Sequence, residues 1–269
     1  MSLRINTNVE AFNAHRQLVG SSNKIAKSME RLSSGYRINR AADDAAGLAI
    51  SEKLRGQIGG LAQAERNAQD AISLVQTAEG SLQEVHSMLQ RIRELAVQYK
   101  NGTLSTTDRS AIQSEVNLLA SEIERIGAQA QFNGIPLLSQ ASSITFQVGA
   151  EDGEVITVPT ISLGQGVPQT AYQLVVNGGS DISEIDAAIT AVSNQRAQFG
   201  AVQNRLEHTL GNLTTYHENL ISSESRIRDV DMAAEMVNFT KLQILQQSGT
   251  AMLAQANSMP QSVLSLLRG

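Results

Sequence analysis

Apolar residues along this chain fall into heptad seams rather than strand-like alternation. Leu61, Ala68, Val75, Leu82, Leu89 and Ala96 recur every seven residues, and Ala64, Ala71, Ala78, Val85, Ile92 and Tyr99 interleave at the 3,4 spacing. That period returns side chains to one helix face, so residues 61–99 predict a coiled-coil-like helix about 58 Å long at 1.5 Å per residue. Its many alanines let a partner backbone approach closely. Asn101 and Gly102 end the run, and residues 105–108 offer N-caps for a second helix. Ile112, Val116, Leu119, Ile123, Ile126 and Ala130 then follow at the 4,3 spacing. Two such helices joined by a short connection predict an antiparallel pair.

From Gln131 the pattern changes. Asn133-Gly134-Ile135-Pro136 reads as a turn, and Ile144, Phe146 and Val148 alternate with polar residues. Residues 151–153 (EDG) separate them from Val155, Ile156, Thr157 and Val158, a β-hairpin pattern. Residues 160–181 are rich in Gly, Pro, Ser and Thr and predict loop, with one more short strand around 172–176. Helical spacing then returns. Ile185, Val192, Phe199, Leu206, Leu213, Leu220, Ile227 and Ala234 repeat every seven residues. The companion seam starts with Ile182 and Ile189 but turns polar at Arg196, Gln203, His217, Glu224 and Asp231. Polar seam positions lower stability and can fix register and partner choice.

Both ends are helical in pattern. Ile5, Val9 and Phe12 share a face, continued by Leu18, Ile25, Met29 and Leu32, and the far end carries Met236, Phe239, Leu242, Gly249, Leu253 and Ala256. Short amphipathic helices are marginal alone, so the termini need each other or other copies of the chain. The predicted fold is mainly α: a long antiparallel heptad-patterned helical bundle with terminal coiled-coil arms and a small β-hairpin insert. Residues 1–40 with 226–269 are expected to form the terminal coiled-coil domain. Residues 41–225 are expected to form the helical body, with its β-hairpin region at about 140–180.

Composition changes this picture in two ways. Only nine of 269 residues are aromatic, with no Trp and no Cys, so burial must come from many small contacts and no disulfide or thiolate site is available. Charge is segregated. Residues 1–40 hold seven basic and two acidic side chains, while residues 41–225 hold ten and twenty-one. An acidic centre argues against nucleic acid as a partner, because phosphate binding needs a basic face. No apolar run reaches the roughly 18 residues that span a bilayer, so no membrane insertion is expected, and residues 1–20 lack the basic start and apolar core of a cleaved signal peptide.

The search for catalytic chemistry is negative. His15, His86, His208 and His217 lie on separate stretches without metal-ligand spacing, and no nucleophile-elbow, Walker or zincin pattern occurs. No catalytic, cofactor or metal site is therefore assigned. Asp43-Asp44 and Asp229-Val230-Asp231 read as helix N-terminal charge or solvated face more readily than as cation ligands. Arg31, Arg37 and Arg40 around Ser33-Ser34-Gly35 read as a turn with charge near a helix C-terminus ahead of a phosphate site. Gly164-x-Gly166 lacks the strand and helix that a nucleotide loop requires.

The segment RLSSGYRINRAADDAAGLAI (residues 31–50) closely resembles the N-terminal signature of bacterial flagellin, and LRINTN (residues 3–8) resembles its opening. QRIRELAVQ (90–98) is similar to the family's N-terminal body helix, QFNG (131–134) to its turn, and SLLRG (265–269) to its Leu-rich C-terminal end. The resemblance covers residues 1–158 and 182–269. It implies a self-assembling filament subunit whose terminal segments pair as a coiled coil lining an inner tube. Filament-core contacts would then fall to Ile5, Val9, Phe12, Leu18, Ile25, Met29, Leu32, Met236, Phe239, Leu242, Leu253, Leu264 and Leu267. Outer domains, which the family inserts centrally, do not fit into residues 159–181, so the resemblance is to a minimal form.

The same resemblance implies export without a cleaved signal through the flagellar type III apparatus, with a flagellin-specific chaperone and with cap and hook-junction proteins as partners. It implies an extracellular, flagellar location, and recognition of the monomer by the animal Toll-like receptor for flagellin through Arg91, Leu95 and Glu115. The rival readings are a hook-filament junction protein, which the complete 31–50 signature disfavours, and a secreted host-signalling or adhesion module.

Overall fold

The computed structural model describes residues 8–160, 162–163 and 181–268, with side chains as far as Met259. Among these residues lie five helices: α1 (Val9–Ser34), α2 (Ala45–Tyr99), α3 (Thr106–Gln129), α4 (Asp181–Arg228) and α5 (Met232–Arg268). Four short strands accompany them: β1 (Gln131–Phe132), β2 (Ile135–Pro136), β3 (Ser143–Gln147) and β4 (Val155–Pro159). The expected mainly α fold with a small hairpin insert is the one that forms. The strand expected around 172–176 and the Gly164-x-Gly166 loop lie outside the described residues.

The chain divides into two compact units, residues 57–218 and residues 1–56 with 219–269. In the body unit eleven of the twelve α2 seam residues are buried, and Tyr99 is half-buried. Val116 and Ile123 of α3 and Ile185, Val192, Phe199 and Leu206 of α4 close the same core. Ion pairs run Arg93–Asp186 at 2.6 Å and Arg196–Glu79 at 3.5 Å, and His217 lies 3.5 Å from Glu65, so numbers rise along α2 as they fall along α4, an antiparallel pair. The polar residues of the second α4 seam thus sit at its rim. Arg196 and His217 meet acids of α2, and Gln203 bonds along its own helix to Glu207 at 2.9 Å.

Local chemistry marks the ends of these elements. Ser105 Oγ accepts from the Asp108 amide at 3.2 Å while Asp108 accepts from the Ser105 amide at 3.1 Å, a reciprocal cap that starts α3. β1 and β2 pair as Phe132↔Ile135 around Asn133 (φ 48°) and Gly134 (φ 80°), the left-handed two-residue turn that Asn-Gly favours. β3 and β4 pair antiparallel, and along β4 Ile156 and Val158 are buried while Val155 and Thr157 face out. The hairpin is tied to α4 by Gln195, whose buried side chain donates to the Pro159 carbonyl at 2.9 Å. It is also packed onto α2 where Gly60 meets Ala150; a Cβ at Gly60 would lie 3.1 Å from it.

The terminal unit is built from α1, the start of α2, the end of α4, and α5. Asn8 caps α1 by accepting from the Ala11 amide at 3.0 Å, and Gly35 ends it at φ 75° with its amide on the Arg31 carbonyl. Asn8 Nδ2 reaches the Ala256 carbonyl at 2.7 Å, and Ser28 reaches Glu235, so α1 and α5 pair antiparallel. The heptad repeat from Ile227 to Ala234 predicts an unbroken helix, but the structure breaks it at residues 229–231. There the Arg37 amide takes the Arg228 carbonyl at 2.7 Å and the Val230 amide takes the Gly35 carbonyl at 3.0 Å. Asp231 then caps α5 through the Ala233 and Ala234 amides at 2.9 and 3.0 Å. Within this unit Arg228 stacks 4.8 Å over Tyr36 and bonds Glu52 at 2.6 Å.

Candidate assembly surface

Seven residues of α1 are covered at heptad spacing: Ala11, Ala14, Leu18, Ser21, Ile25, Ser28 and Leu32. Their counterparts on α5 are Glu235, Phe239, Leu242, Gln246, Gly249, Leu253 and Ala256. Close packing follows from the small residues, as where Gly249 lies beside Leu18. One polar layer interrupts the seam: the Ser28 hydroxyl donates to Glu235, whose other oxygen lies 3.7 Å from Arg31.

Outside that seam the pair exposes a number of large apolar side chains. Phe12 is 68% exposed and Val237 69%, and Val9, Val19, Met29, Met232, Met236, Ile244, Leu245, Met252 and Met259 are likewise exposed. Val237 and Ile244, and Leu245, Met252 and Met259, are spaced by seven, so the outer face of α5 carries stripes of its own. Exposed apolar stripes of this extent mark a surface made for another protein. Of the residues expected at the filament core, Leu18, Ile25, Leu32, Phe239, Leu242 and Leu253 therefore lie in the seam within the subunit. Val9, Phe12, Met29 and Met236 point outward. Ile5 and the side chains of Leu264 and Leu267 lie outside the described residues. The sequence pattern missed Val19, Val237, Ile244, Leu245, Met252 and Met259, although their spacing of seven, offset from the seam, was there to be read.

On the body unit, Arg91 donates to Glu115 across the α2–α3 pair at 2.9 and 3.1 Å and lies 3.3 Å from Glu94. The Glu115 hydrogen bonds hold the Arg91 proton more firmly than in free arginine. Leu95, the third residue of the expected recognition patch, does not share the exposure of Arg91 and Glu115. It is 2% exposed, because α2 is covered on more than one side, and it packs in the body core.

The residues weighed as ligands have structural work. Arg31, Arg37 and Arg40 meet Glu235, the Ile227 carbonyl and Glu30. Asp44 accepts from the Gly47 amide at 2.9 Å as α2 begins, and Asp43 binds Lys27 at 2.6 Å. The Lys27 hydrogen bond, with further ones from the Arg40 and Asn39 amides, holds the Asp43 carboxyl at about 2. Among the described residues no cluster of His, Asp and Glu could hold a metal ion, and no helix is long and apolar enough to cross a membrane.

Comparison with known proteins places this geometry. The family profile for the bacterial flagellin N-terminal helical region matches residues 5–143, and that for the C-terminal helical region matches residues 182–267. The chain is 53% identical to a flagellin of Halalkalibacterium halodurans, over 98% of this chain and 99% of that one. It is 46% identical to a Bacillus subtilis flagellin, over 99% and 100%. A third relative, the flagellar filament 33 kDa core protein of Treponema phagedenis, is 48% identical over 98% and 99%. The crystal structure of Bacillus cereus flagellin is similar over 55% of this chain and 88% of that one, with 32% identity and a TM-score of 0.50. With two family profiles spanning most of its length and relatives matched end to end, the chain belongs to the bacterial flagellin family.

Proposed function

We propose that the chain is a structural subunit that polymerises with its own copies into an extracellular bacterial flagellar filament, the rigid element of swimming motility, and performs no catalysis. The observation that carries this reading is the α1–α5 pair, which half-covers one heptad seam within the subunit and leaves further large apolar side chains, Phe12, Val237 and Ile244 among them, on its outer face. A lone subunit gains nothing from that face. In a tube of like subunits it is covered, and burial at ~25 cal/mol per Å² offsets the cost of ordering the arms. Export through the flagellar type III apparatus, a flagellin-specific export chaperone, and cap and hook-junction proteins as partners belong to the same reading.

Seeded polymerisation of the purified protein, viewed by negative-stain electron microscopy, tests it. Tubes of uniform diameter are expected from the full chain. Chains lacking residues 1–40 or 230–269 should keep the helical dichroism of the body and form none. Filaments from either truncated chain would overturn the role given to the paired ends. A hook-filament junction protein would instead stop at short, non-extending assemblies, and a signalling or adhesion module would not polymerise.

A second reading concerns the monomer. The exposed Arg91–Glu115 pair supports recognition by the Toll-like receptor for flagellin, with Leu95 shaping the backbone beneath rather than touching the receptor. Arg91→Ala should weaken activation in a reporter-cell assay by about tenfold or more, the loss typical of a charged hydrogen bond. Unchanged signalling would remove Arg91 from the contact.

A further inference from the structure

Methionine is distributed unevenly over this molecule. Met29, Met232, Met236, Met252 and Met259 are all exposed and all belong to the α1–α5 pair, whereas Met88 of the body unit is half-buried against the core. Met252 is 65% exposed. The Ser28–Glu235 contact sets α1 against α5 so that Met29 lies level with Met236, with Met232 one turn away. Met252 and Met259 lie seven residues apart in line with Leu245. The chain has no Cys and no Trp, so these thioethers are its most oxidisable side chains.

We propose that these exposed methionines of the α1–α5 pair are an oxidation site that switches the subunit between assembling and non-assembling forms. The co-reactant is a two-electron oxygen-atom donor of the peroxide or hypochlorite class. The thioether sulfur attacks the terminal peroxide oxygen and the O–O bond breaks. One oxygen becomes the sulfoxide oxygen and the other leaves as water, so sulfur loses the two electrons that the peroxide gains. A sulfoxide is polar and chiral, and it cannot pack in an apolar contact as the thioether does. Exposure determines rate, so the free subunit reacts and the covered face does not.

The inference rests on the filament reading, and the test separates the two. Purified full-length protein is treated with hydrogen peroxide, and sulfoxide at each methionine is followed by peptide mass spectrometry before seeded polymerisation. The five exposed residues should oxidise at least about tenfold faster than Met88, and the critical concentration should rise at least about tenfold. Methionine sulfoxide reductases of both stereospecificities should restore assembly. Polymer formed from the parent supplies a second measurement. Oxidation of the same five residues should then fall at least about tenfold on assembly while Met88 is unchanged. Oxidation of the five no faster than Met88, or parent-like assembly of oxidised protein, would overturn the proposal. Failure of untreated protein to polymerise would instead overturn the filament reading and leave the ranking of oxidation rates as the test of the site.

Discussion

Replacing Ile244 by Asp places a carboxylate in the middle of the outward face of α5 without disturbing the seam beneath it. Ile244 is 58% exposed in the single subunit. Full burial of an isoleucine side chain is worth about 1.5 to 3 kcal/mol, so covering the remaining half in a polymer gains about 1 to 1.5 kcal/mol. Asp forfeits that gain and adds several kcal/mol for desolvating an unpaired carboxylate, making roughly 3 to 5 kcal/mol per subunit. At 1.4 kcal/mol per decade, the critical concentration should rise roughly a hundredfold to a few thousandfold. Sedimentation of seeded reactions over a concentration series measures it directly, and far-ultraviolet dichroism checks that the helices of the subunit are intact. Ile244→Leu, similar in volume and apolar, should assemble like the parent. An Asp variant that sediments at the parent's critical concentration with normal dichroism would refute the argument, because the outer stripe would then face solvent in the polymer as well.

Other substitutions test the fold that presents this face. Phe199→Ala empties the largest fully buried side chain of the body and should cost about 3 to 5 kcal/mol, read as a lower thermal midpoint of the soluble protein. Gly59→Ala should raise that midpoint by the equivalent of about 1 kcal/mol, since a methyl there meets nothing within 4 Å and the helix loses its most flexible residue type. A lower midpoint would mean the α2 backbone is strained at that position. Asp43 titrates at about 2 in the folded chain against an ordinary 3.8, so its contribution is complete above pH 3.8 and lost as pH falls through 2. The stability gap between the parent and Asp43→Asn, held below about 1 kcal/mol by the half-exposed Lys27, should therefore shrink between pH 4 and pH 2. Hydrogen exchange of residues 27–44 would read it, and a gap of equal size at both ends of that window would exclude the Lys27 contact as its source.

What could be read from the sequence depended on how large the buried side chains are. In the body the α2 seam residues are mostly Leu, Ile, Val and Ala at unbroken heptad spacing, and eleven of the twelve are buried, whereas Leu119 and Ile126 of the α3 seam are only partly covered. In α1 four of the seven seam residues are Ala or Ser, which carry little apolar signal. The larger Val9, Phe12 and Met29 therefore dominated the pattern, and they belong to the outer face. The break at residues 229–231 has neither Gly nor Pro to announce it. It is made by backbone bonds with Gly35 and Arg37, roughly 190 residues away, which no local window contains.

Leu95 has a different cause. A helix packed on two sides buries a third stripe beyond its two seams, and on α2 that stripe runs through Leu74, Met88 and Leu95, spaced by multiples of seven. The rule that helical residues near Arg91 share its exposure holds for a helix covered on one side only. On the receptor reading proposed above, a receptor approaching the α2–α3 pair would meet Arg91 and Glu115 and reach Leu95 only through the backbone it supports. Substituting Leu95 by Ala should then lower the stability of the body by about 2 to 5 kcal/mol before it alters any surface. A loss of signalling in that variant counts as a contact effect only if its thermal midpoint is unchanged, whereas the same loss in Arg91→Ala, where the side chain is exposed, can be read directly.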